Sequence, residues 1–413
     1  MDMLGVEGKL ITEIRPEEIE RFWTRHYDDG VPETVEIPEI PLYELLDKTA
    51  RRLPDRVAID FLGKRLKYGE LKELSDRVAG FLRTLGVGKG TRVVVDMPNT
   101  PHYVIAYYGI LKTGATVVQA NPLYTERELR HIAENSEARI FFVVENAFPK
   151  VYQLKEEGLV DRIIVCRIED YLPFPLNFLY RFKKEKVKIP DEDGILFWND
   201  VIKSDPIANP ERVDPRNDVA VFQYTGGTTG LPKAAMLTHY NLVANTYQII
   251  PWLPGFSEND VVSGILPYFH VYGMTTSMNM PIAVGAKIVM LPDPRDIKRI
   301  LNAIEKHRIT LFFGVPTLFN AINTHPDTPK KDLTSIRACI SGSAPLPLEV
   351  KREFERITGG KLVEGYGLSE SSPVTHVNPI YGENREGSIG LPIPNTYAVV
   401  IDEEGKILPA GEI

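Results

Sequence analysis

Short uninterrupted runs of Val, Ile and Phe, each followed by a helical pattern, constrain this chain more than any other feature. Arg92–Val95, Ala115–Gln119 and Arg139–Val144 show no polar alternation, which is how strands read when helices cover both faces of a sheet. Helical patterns follow from Pro101 and from Thr125, where Thr125 and Glu128 have the spacing of a capping box. Upstream, the spacing predicts a helix over about Tyr43–Leu53 and a hairpin turning at Gly63 and Lys64. Leu71, Leu74, Val78, Leu82 and Leu85 then recur at helical spacing and stop at Gly86, a left-handed cap. A second series runs from Val219 through Ala286–Leu291, Thr310–Phe313, Ile336–Ser341 and Lys361–Val363. The expected fold class is therefore α/β, with two doubly wound, mostly parallel sheets and a ligand at the C-terminal ends of their strands.

After Pro373 the period becomes that of β structure, with an expected hairpin of Tyr397–Ile401 and Lys406–Leu408. This gives an N-terminal extension at residues 1–40 and one large unit at 41–413. Within the unit, α/β layers are expected at about 41–200 and 201–370, and a β part at 371–413. Gly411, Glu412 and Ile413 look like the start of a further strand.

Composition narrows the setting. Lys and Arg number 48 against 56 Asp and Glu, a net charge of −8, which argues against a nucleic-acid partner. Cys166 and Cys339 have no partners at zinc-ligand spacing, and two cysteines make no disulfide framework, so a reducing, cytoplasmic compartment is expected. The N-terminus lacks the apolar core of a secretory signal. Lys112 and Lys287 break the two most apolar stretches, residues 103–120 and 274–292, and neither reads as a membrane span.

The densest chemical signal is YTGGTTGLPK, Tyr224–Lys233, behind the apolar run Val219–Phe222 and ahead of a helix expected near Thr238. Gly226, Gly227 and Gly230 allow backbone N–H groups to converge on an anion. Thr225, Thr228 and Thr229 add hydroxyls, and Lys233 adds a positive charge. The run suits a polyphosphate. It is not a Walker A loop, because Lys233 follows Pro232 and precedes Ala234.

This run resembles the phosphate loop of the adenylate-forming acyl-CoA synthetases, and four further segments match in that family's order. LPYFHVYG, Leu266–Gly273, resembles the segment whose histidine, here His270, sits beside the reacting carboxylate and the α-phosphate. SGSAPL resembles the turn flanking adenine and the acyl pocket, which implies roles for Gly342, Ser343 and Ala344; Ser343 stands where the commoner pattern has Gly. EGYGLSE is similar to the segment that packs a tyrosine on adenine, turns a hydroxyl to the α-phosphate and binds magnesium through a glutamate. Carried over, it implies ATP-binding positions at Glu364, Gly365, Tyr366, Gly367 and Ser369, and a magnesium ligand at Glu370 shared with Thr225. GSIGLPIPN, Gly387–Asn395, resembles the start of the family's β-barrel subdomain. The resemblance implies catalytic roles for His270, Lys233, Ser369 and Glu370 and a need for ATP, Mg2+ and coenzyme A.

NPLYTERELRH, Asn121–His131, and the irregular region 171–200 are most similar to long-chain fatty acid ligases. The expected enzyme is an AMP-forming acid–thiol ligase acting on a long-chain fatty acid. An aryl-acid CoA ligase, a luciferase-like adenylating enzyme and a non-catalytic ATP or acyl binder are the alternatives. On that resemblance the acyl pocket comprises His270, Met274, Gly314, Val315 and Pro316, with Met274 at a gate. Residues 171–188 mix aromatic and basic side chains and are expected to make peripheral contact with an anionic membrane; a homodimer is left open. The family continues into a small mobile C-terminal domain that does not follow Ile413, so this chain is expected to be largely inactive alone, with that domain as a separate partner.

Overall fold

A computed structural model describes residues 3–183, 187–225 and 232–411. Its strands, in chain order, are β1 (Val57–Phe61), β2 (Lys64–Lys67), β3 (Arg92–Asp96), β4 (Thr116–Ala120), β5 (Ile140–Val144), β6 (Arg162–Cys166), β7 (Ile195–Phe197) and β8 (Val219–Thr225). They continue with β9 (Lys233–Thr238), β10 (Val261–Gly264), β11 (Lys287–Met290), β12 (Leu311–Gly314), β13 (Ala338–Ser341), β14 (Lys361–Gly367), β15 (Val374–Val377) and β16 (Leu391–Pro392). Seven strands form one sheet in the order β7-β6-β5-β3-β4-β8-β9, and nine form another in the order β16-β15-β14-β13-β12-β10-β11-β1-β2. Both are parallel in their interiors. Among the described residues, antiparallel pairs in the sheets occur only at their margins, in β8/β9, β1/β2, β14/β15 and β15/β16.

The local expectations hold closely. Thr125 caps the helix Glu126–Ser136 in a reciprocal box with Glu128. Leu71, Val78 and Leu82 of the helix Tyr68–Thr84 are fully buried, and Gly86 follows at φ 79°. The first hairpin turns one residue earlier than expected, at Leu62 and Gly63, both with positive φ, the geometry that matches the twist of its strands.

The sheets do not follow the division at residues 200 and 201. β1 lies beside β11, with Ile59 opposite Ile288, and so belongs to the nine-stranded sheet. β8 lies beside β4, with Val117 opposite Val221, and so belongs to the seven-stranded one. Each half of the chain lends strands to the other's sheet. The helix Pro101–Lys112 has every residue buried, and its hydroxyls bind the other half of the chain: Tyr103 donates to Tyr268 O (2.9 Å) and Tyr108 to Asn279 Oδ1 (2.9 Å).

The extension at the N-terminus is tied to the end of the described chain. Leu4, Val6, Ile19 and Trp23 pack with Ile407, and the Asp28 carboxylate accepts the backbone N–H groups of Ile380 (2.7 Å) and Tyr381 (3.0 Å). Of the expected C-terminal hairpin, the bridge Ile401–Ile407 and the bond from Leu408 N to Val400 O (2.9 Å) are present.

Two buried polar groups set stability. Lys112, fully buried, places Nζ 2.6 Å from Asp47 and 2.5 Å from Asp76, joining three helices. Lys112→Met leaves two buried carboxylates without their shared cation and is expected to cost about 3–5 kcal/mol in chemical denaturation. His239 is buried, its Nδ1 accepts the Leu42 N–H at 3.0 Å, and burial pushes its pKa down to about 4. Unfolded, the ring takes a proton near pH 6.5, so between about 6.5 and about 4 the unfolded chain binds more protons. Stability is therefore lost as the pH is lowered from about 6.5 to about 4. Thermal melts across it should show this loss, and His239→Asn, which keeps an acceptor but cannot titrate, should lose that part of the slope.

Candidate active site

The C-terminal ends of β10, β12, β13 and β14 open on one side of the nine-stranded sheet, and the end of β8 faces them from the other sheet. A cleft of about 460 Å³ forms there, and a second cavity of about 670 Å³ joins it at His270, Tyr272 and Ser343. Thr225, His270, Gly342, Ser343, Gly365, Tyr366, Gly367, Ser369 and Glu370, drawn from four separate segments, all line the first cleft. Each is a position that the family resemblance singled out.

His270 begins the short helix Val271–Met274, and its Nδ1 accepts the Tyr272 N–H at 3.2 Å. A backbone N–H can only donate, so Nδ1 is unprotonated and Nε2 carries the hydrogen. Apolar surroundings push the pKa of the ring below its ordinary value. At neutral pH His270 therefore presents one N–H donor and no charge. Two buried amides hold the approach to it. Asn99 Nδ2 donates to Gly264 O (3.0 Å) and Leu266 O (2.8 Å), while its Oδ1 accepts the Tyr268 N–H (2.9 Å). Gln223 Nε2 donates to Phe269 O (3.1 Å). The sequence reading passed over both, although a single amide inside runs such as VFQYT is itself a signal, because a buried amide needs partners.

Tyr272 separates the two cavities, its hydroxyl donating to Ile340 O at 2.9 Å. Its ring lies so close to Gly342 that a Cβ there would sit 3.1 Å from Cε1. Ser343 adopts φ 69°, a left-handed conformation that a side chain disfavours, which accounts for glycine being the commoner choice there. Glu364 turns its carboxylate to the Leu346 N–H (3.0 Å) and secures the 342–346 turn. Ala344 is exposed on that turn.

Tyr366 lies at the end of β14 and is 42% exposed. Gly367 is required by close approach: a Cβ would meet Pro373 O at 2.2 Å. Asn245 fixes the returning strand with both amide atoms, accepting from Val374 N (3.0 Å) and donating to Val374 O (2.7 Å). Between them, the turn Ser369–Ser371 presents Ser369 and the exposed carboxylate of Glu370.

The glycine-rich run differs from expectation. Residues 226–231, with Gly226, Gly227, Thr228, Thr229 and Gly230, lie outside the described residues. Their flanks pair as antiparallel strands with Thr225 opposite Lys233, so the run joins two strands of a hairpin rather than a strand and a helix. The helix His239–Ile249 begins only after β9. Among the described residues, no helix begins between Thr225 and His239. Thr225 Oγ1 donates to Lys233 O at 3.3 Å, Lys233 is exposed, and β9 lies beside the Ser369–Ser371 turn.

The larger cavity has apolar walls that include Ile265, Phe269, Val315 and Leu318. Gly314 and Pro316 flank Val315 from behind; Gly314 backs onto the Phe319 ring and Pro316 opens the helix Pro316–Thr324. Met274 is not on either cavity wall. It is fully buried in the core, its sulfur accepting from Gln119 Nε2 at 3.1 Å. The helical path after His270 turns this side chain toward the seven-stranded sheet, away from the place expected of a gate. Among the described residues no group of three or more His, Cys, Asp or Glu could hold a metal ion by itself. A shell completed by substrate phosphates needs no such group, and Thr225 and Glu370 offer oxygen donors of the kind magnesium accepts.

Comparison with known proteins agrees with this geometry. The family described as "AMP-binding enzyme" matches residues 46–413. The long-chain-fatty-acid–CoA ligase of Bacillus subtilis (strain 168) is 44% identical over 396 residues, covering 94% of this chain and 70% of the relative. That of Escherichia coli O6:H1 is 33% identical, with 95% and 72% covered. Among solved structures, a long-chain-fatty-acid-CoA ligase from Archaeoglobus fulgidus superposes with a TM-score of 0.79 at 25% identity, over 94% of this chain and 76% of that one. An anthranilate CoA ligase in complex with anthranoyl-AMP superposes with a TM-score of 0.80 at 24% identity, over 91% and 69%, which bears on the fold alone. A shared family across nearly the whole chain, and a cleft built from the segments that the family's resemblance singled out, lead to one conclusion: the chain belongs to the AMP-binding enzymes.

Proposed function

We propose that this chain activates long-chain fatty acids with ATP, as the adenylating part of an acid–thiol ligase that makes acyl-CoA. The observation that carries the reading is the meeting of two unlike cavities at His270, one rimmed by hydroxyl, glycine and carboxylate groups and one walled by apolar side chains. A reaction between a lipid carboxylate and a nucleotide phosphate needs that junction.

A carboxylate is a poor acceptor of a thiol because its charge repels nucleophiles. Activation reverses the roles. A carboxylate oxygen attacks the α-phosphorus of MgATP, the bond to the β-phosphate oxygen breaks, and pyrophosphate leaves with both electrons of that bond. The thiol of coenzyme A then adds to the acyl carbon and gives up its proton, and AMP departs. In our assignment the His270 Nε2–H donates to oxygen that gains charge during the attack, and Ser369 does so from the opposite rim. Such fixed donors act where charge develops and need no reorganisation. Lys233 and residues 226–230 hold the pyrophosphate portion, while Thr225 and Glu370 face the magnesium that ATP brings. Tyr366 packs on the adenine, against the backbone of Gly342 and Ser343. Val315 and the apolar wall around it take the acyl chain.

The setting we propose is cytoplasmic, with peripheral contact at a membrane. Cys166 and Cys339 are both free and buried, which suits a reducing compartment. No helix among the described residues is long and apolar enough to cross a membrane. Phe174 is 85% exposed and Phe178 55%; Arg181 stands on the same helix as Phe178, Leu176–Lys183, and Lys188 follows in the chain. Aromatic side chains beside cations suit an anionic bilayer surface, where fatty acids partition.

Incubation with MgATP and a panel of fatty and aryl acids, with and without coenzyme A, tests the reading by mass spectrometry. Long-chain acyl-AMP is expected at a low rate; products from aryl acids only, or no acyl-AMP even in a single-turnover assay, would overturn it. His270→Ala and Glu370→Gln should each lower acyl-AMP formation by about 10²-fold or more, with thermal midpoints close to that of the parent. The membrane contact is tested by co-sedimentation: binding to anionic vesicles at low salt that weakens at high salt is expected, and Phe174→Ser with Phe178→Ser should abolish it. No binding even at low salt would remove the contact.

A further inference from the structure

The helix Glu126–Ser136 lines neither cavity, yet it grips both legs of the hairpin formed by β8 and β9. His131 Nε2 lies 2.7 Å from Pro232 O; a carbonyl only accepts, so this nitrogen carries the hydrogen and donates. One turn further along the same face, Asn135 Oδ1 accepts the hydroxyl of Tyr224 at 2.8 Å. The His131 and Tyr224 rings meet edge to face, with centroids 6.2 Å apart. Tyr224 immediately precedes Thr225, and Pro232 immediately precedes Lys233. One helix face thus holds the two legs at the points where the glycine-rich run leaves and rejoins the sheet.

The grip has a firm base. The reciprocal bonds of Thr125 and Glu128 fix the start of the helix. Lys150 Nζ donates to Tyr124 O at 2.7 Å, and Arg130 binds both Glu126 (2.9 Å) and Glu157 (2.9 Å). Proline has no N–H, so at Pro232 itself the carbonyl is the backbone group that can be held. Holding Thr225 and Lys233 in place before a ligand arrives removes part of the ordering cost from the binding step.

We propose that His131 is a positioning residue for the polyphosphate of ATP: with Asn135 it fixes the end of the hairpin, whose legs are already paired with each other, against the helix Glu126–Ser136, and so sets where Thr225 and Lys233 stand against the cleft. The proposal rests on the reading above that the run between them holds the pyrophosphate portion of ATP. It assigns a task to the segment Asn121–His131, which the cleft itself leaves unused.

Calorimetric titration of the parent chain and of His131→Ala, His131→Gln and Asn135→Ala with MgATP and with AMP, together with palmitate binding and thermal melts, tests it. His131→Ala is expected to weaken MgATP by about 10-fold, the equivalent of one well-placed hydrogen bond at 1.4 kcal/mol per decade. AMP, which lacks the outer phosphates, and palmitate should bind within about twofold of the parent, and the melting midpoint should hardly move. His131→Gln, which can present an N–H to the same carbonyl, should recover most of the loss, and Asn135→Ala should act in the same sense as His131→Ala. Unchanged MgATP affinity in His131→Ala would overturn the proposal, as would an equal loss for AMP and palmitate, which is the mark of general damage. A parent chain that binds AMP but gains nothing from the outer phosphates would overturn the polyphosphate reading itself, and the proposal with it.

Discussion

The packing of one fully buried helix between the two sheets is the constraint on which this architecture depends. Parallel sheets are stable only when both faces are covered, and Pro101–Lys112 has no face left for water. Its tyrosines reach across to Tyr268 and Asn279, on the segment that also carries His270. The lysine at its end pairs with two buried aspartates from neighbouring helices. The sheets are further bound by exchange, since β1 and β8 each lie in the sheet built mainly by the other half of the chain. A cleft between the strand ends of two such sheets inherits their rigidity. The segments that carry its polar groups are anchored in those sheets, the kind of arrangement that electrostatic catalysis requires.

Local order was legible because it is written in local chemistry. The capping box at Thr125, the left-handed Gly86 and the buried Val and Phe runs each carry their own signal. The cleft was legible for a different reason. Thr225, His270, Gly342, Tyr366 and Glu370 were named through resemblance to a family, and no spacing within this chain could have brought four distant segments together. What stayed hidden depends on tertiary direction. VAIDF reads like any other buried strand, and nothing within it says that its neighbour is KIVM. The stretch Lys233–Thr238 has small residues and weak alternation, and its strand character comes from its pairing with β8. Met274 has a side chain suited to an acyl tunnel, but the helix axis aims it at Gln119.

The amides show how polar groups in an apolar interior carry information that hydrophobic patterning misses. Asn99, Gln223 and Asn245 bond to main-chain atoms of segments far away in sequence. Each ties an irregular segment of the cleft to a regular element. A hydrocarbon of equal volume at any of these positions would leave buried backbone groups unpaired. The shape of the cleft is in this sense set by hydrogen bonds, and the stability of the sheets by burial.

The pairing of β1 with β11 also imposes an order in time. Ile59 lies opposite Ile288, so the first hairpin leaves the ribosome long before its partner strand exists. At synthesis rates of roughly 5–20 residues per second, it waits on the order of 10–50 s with one edge unpaired. Strands β3 to β7 of the seven-stranded sheet pair with one another sooner, because those partners lie close in the chain; β4 alone among them also waits for a later strand, β8. The nascent protein therefore matures from its middle outward, and the cleft, which needs β14 and the turn after it, is among the last parts to close.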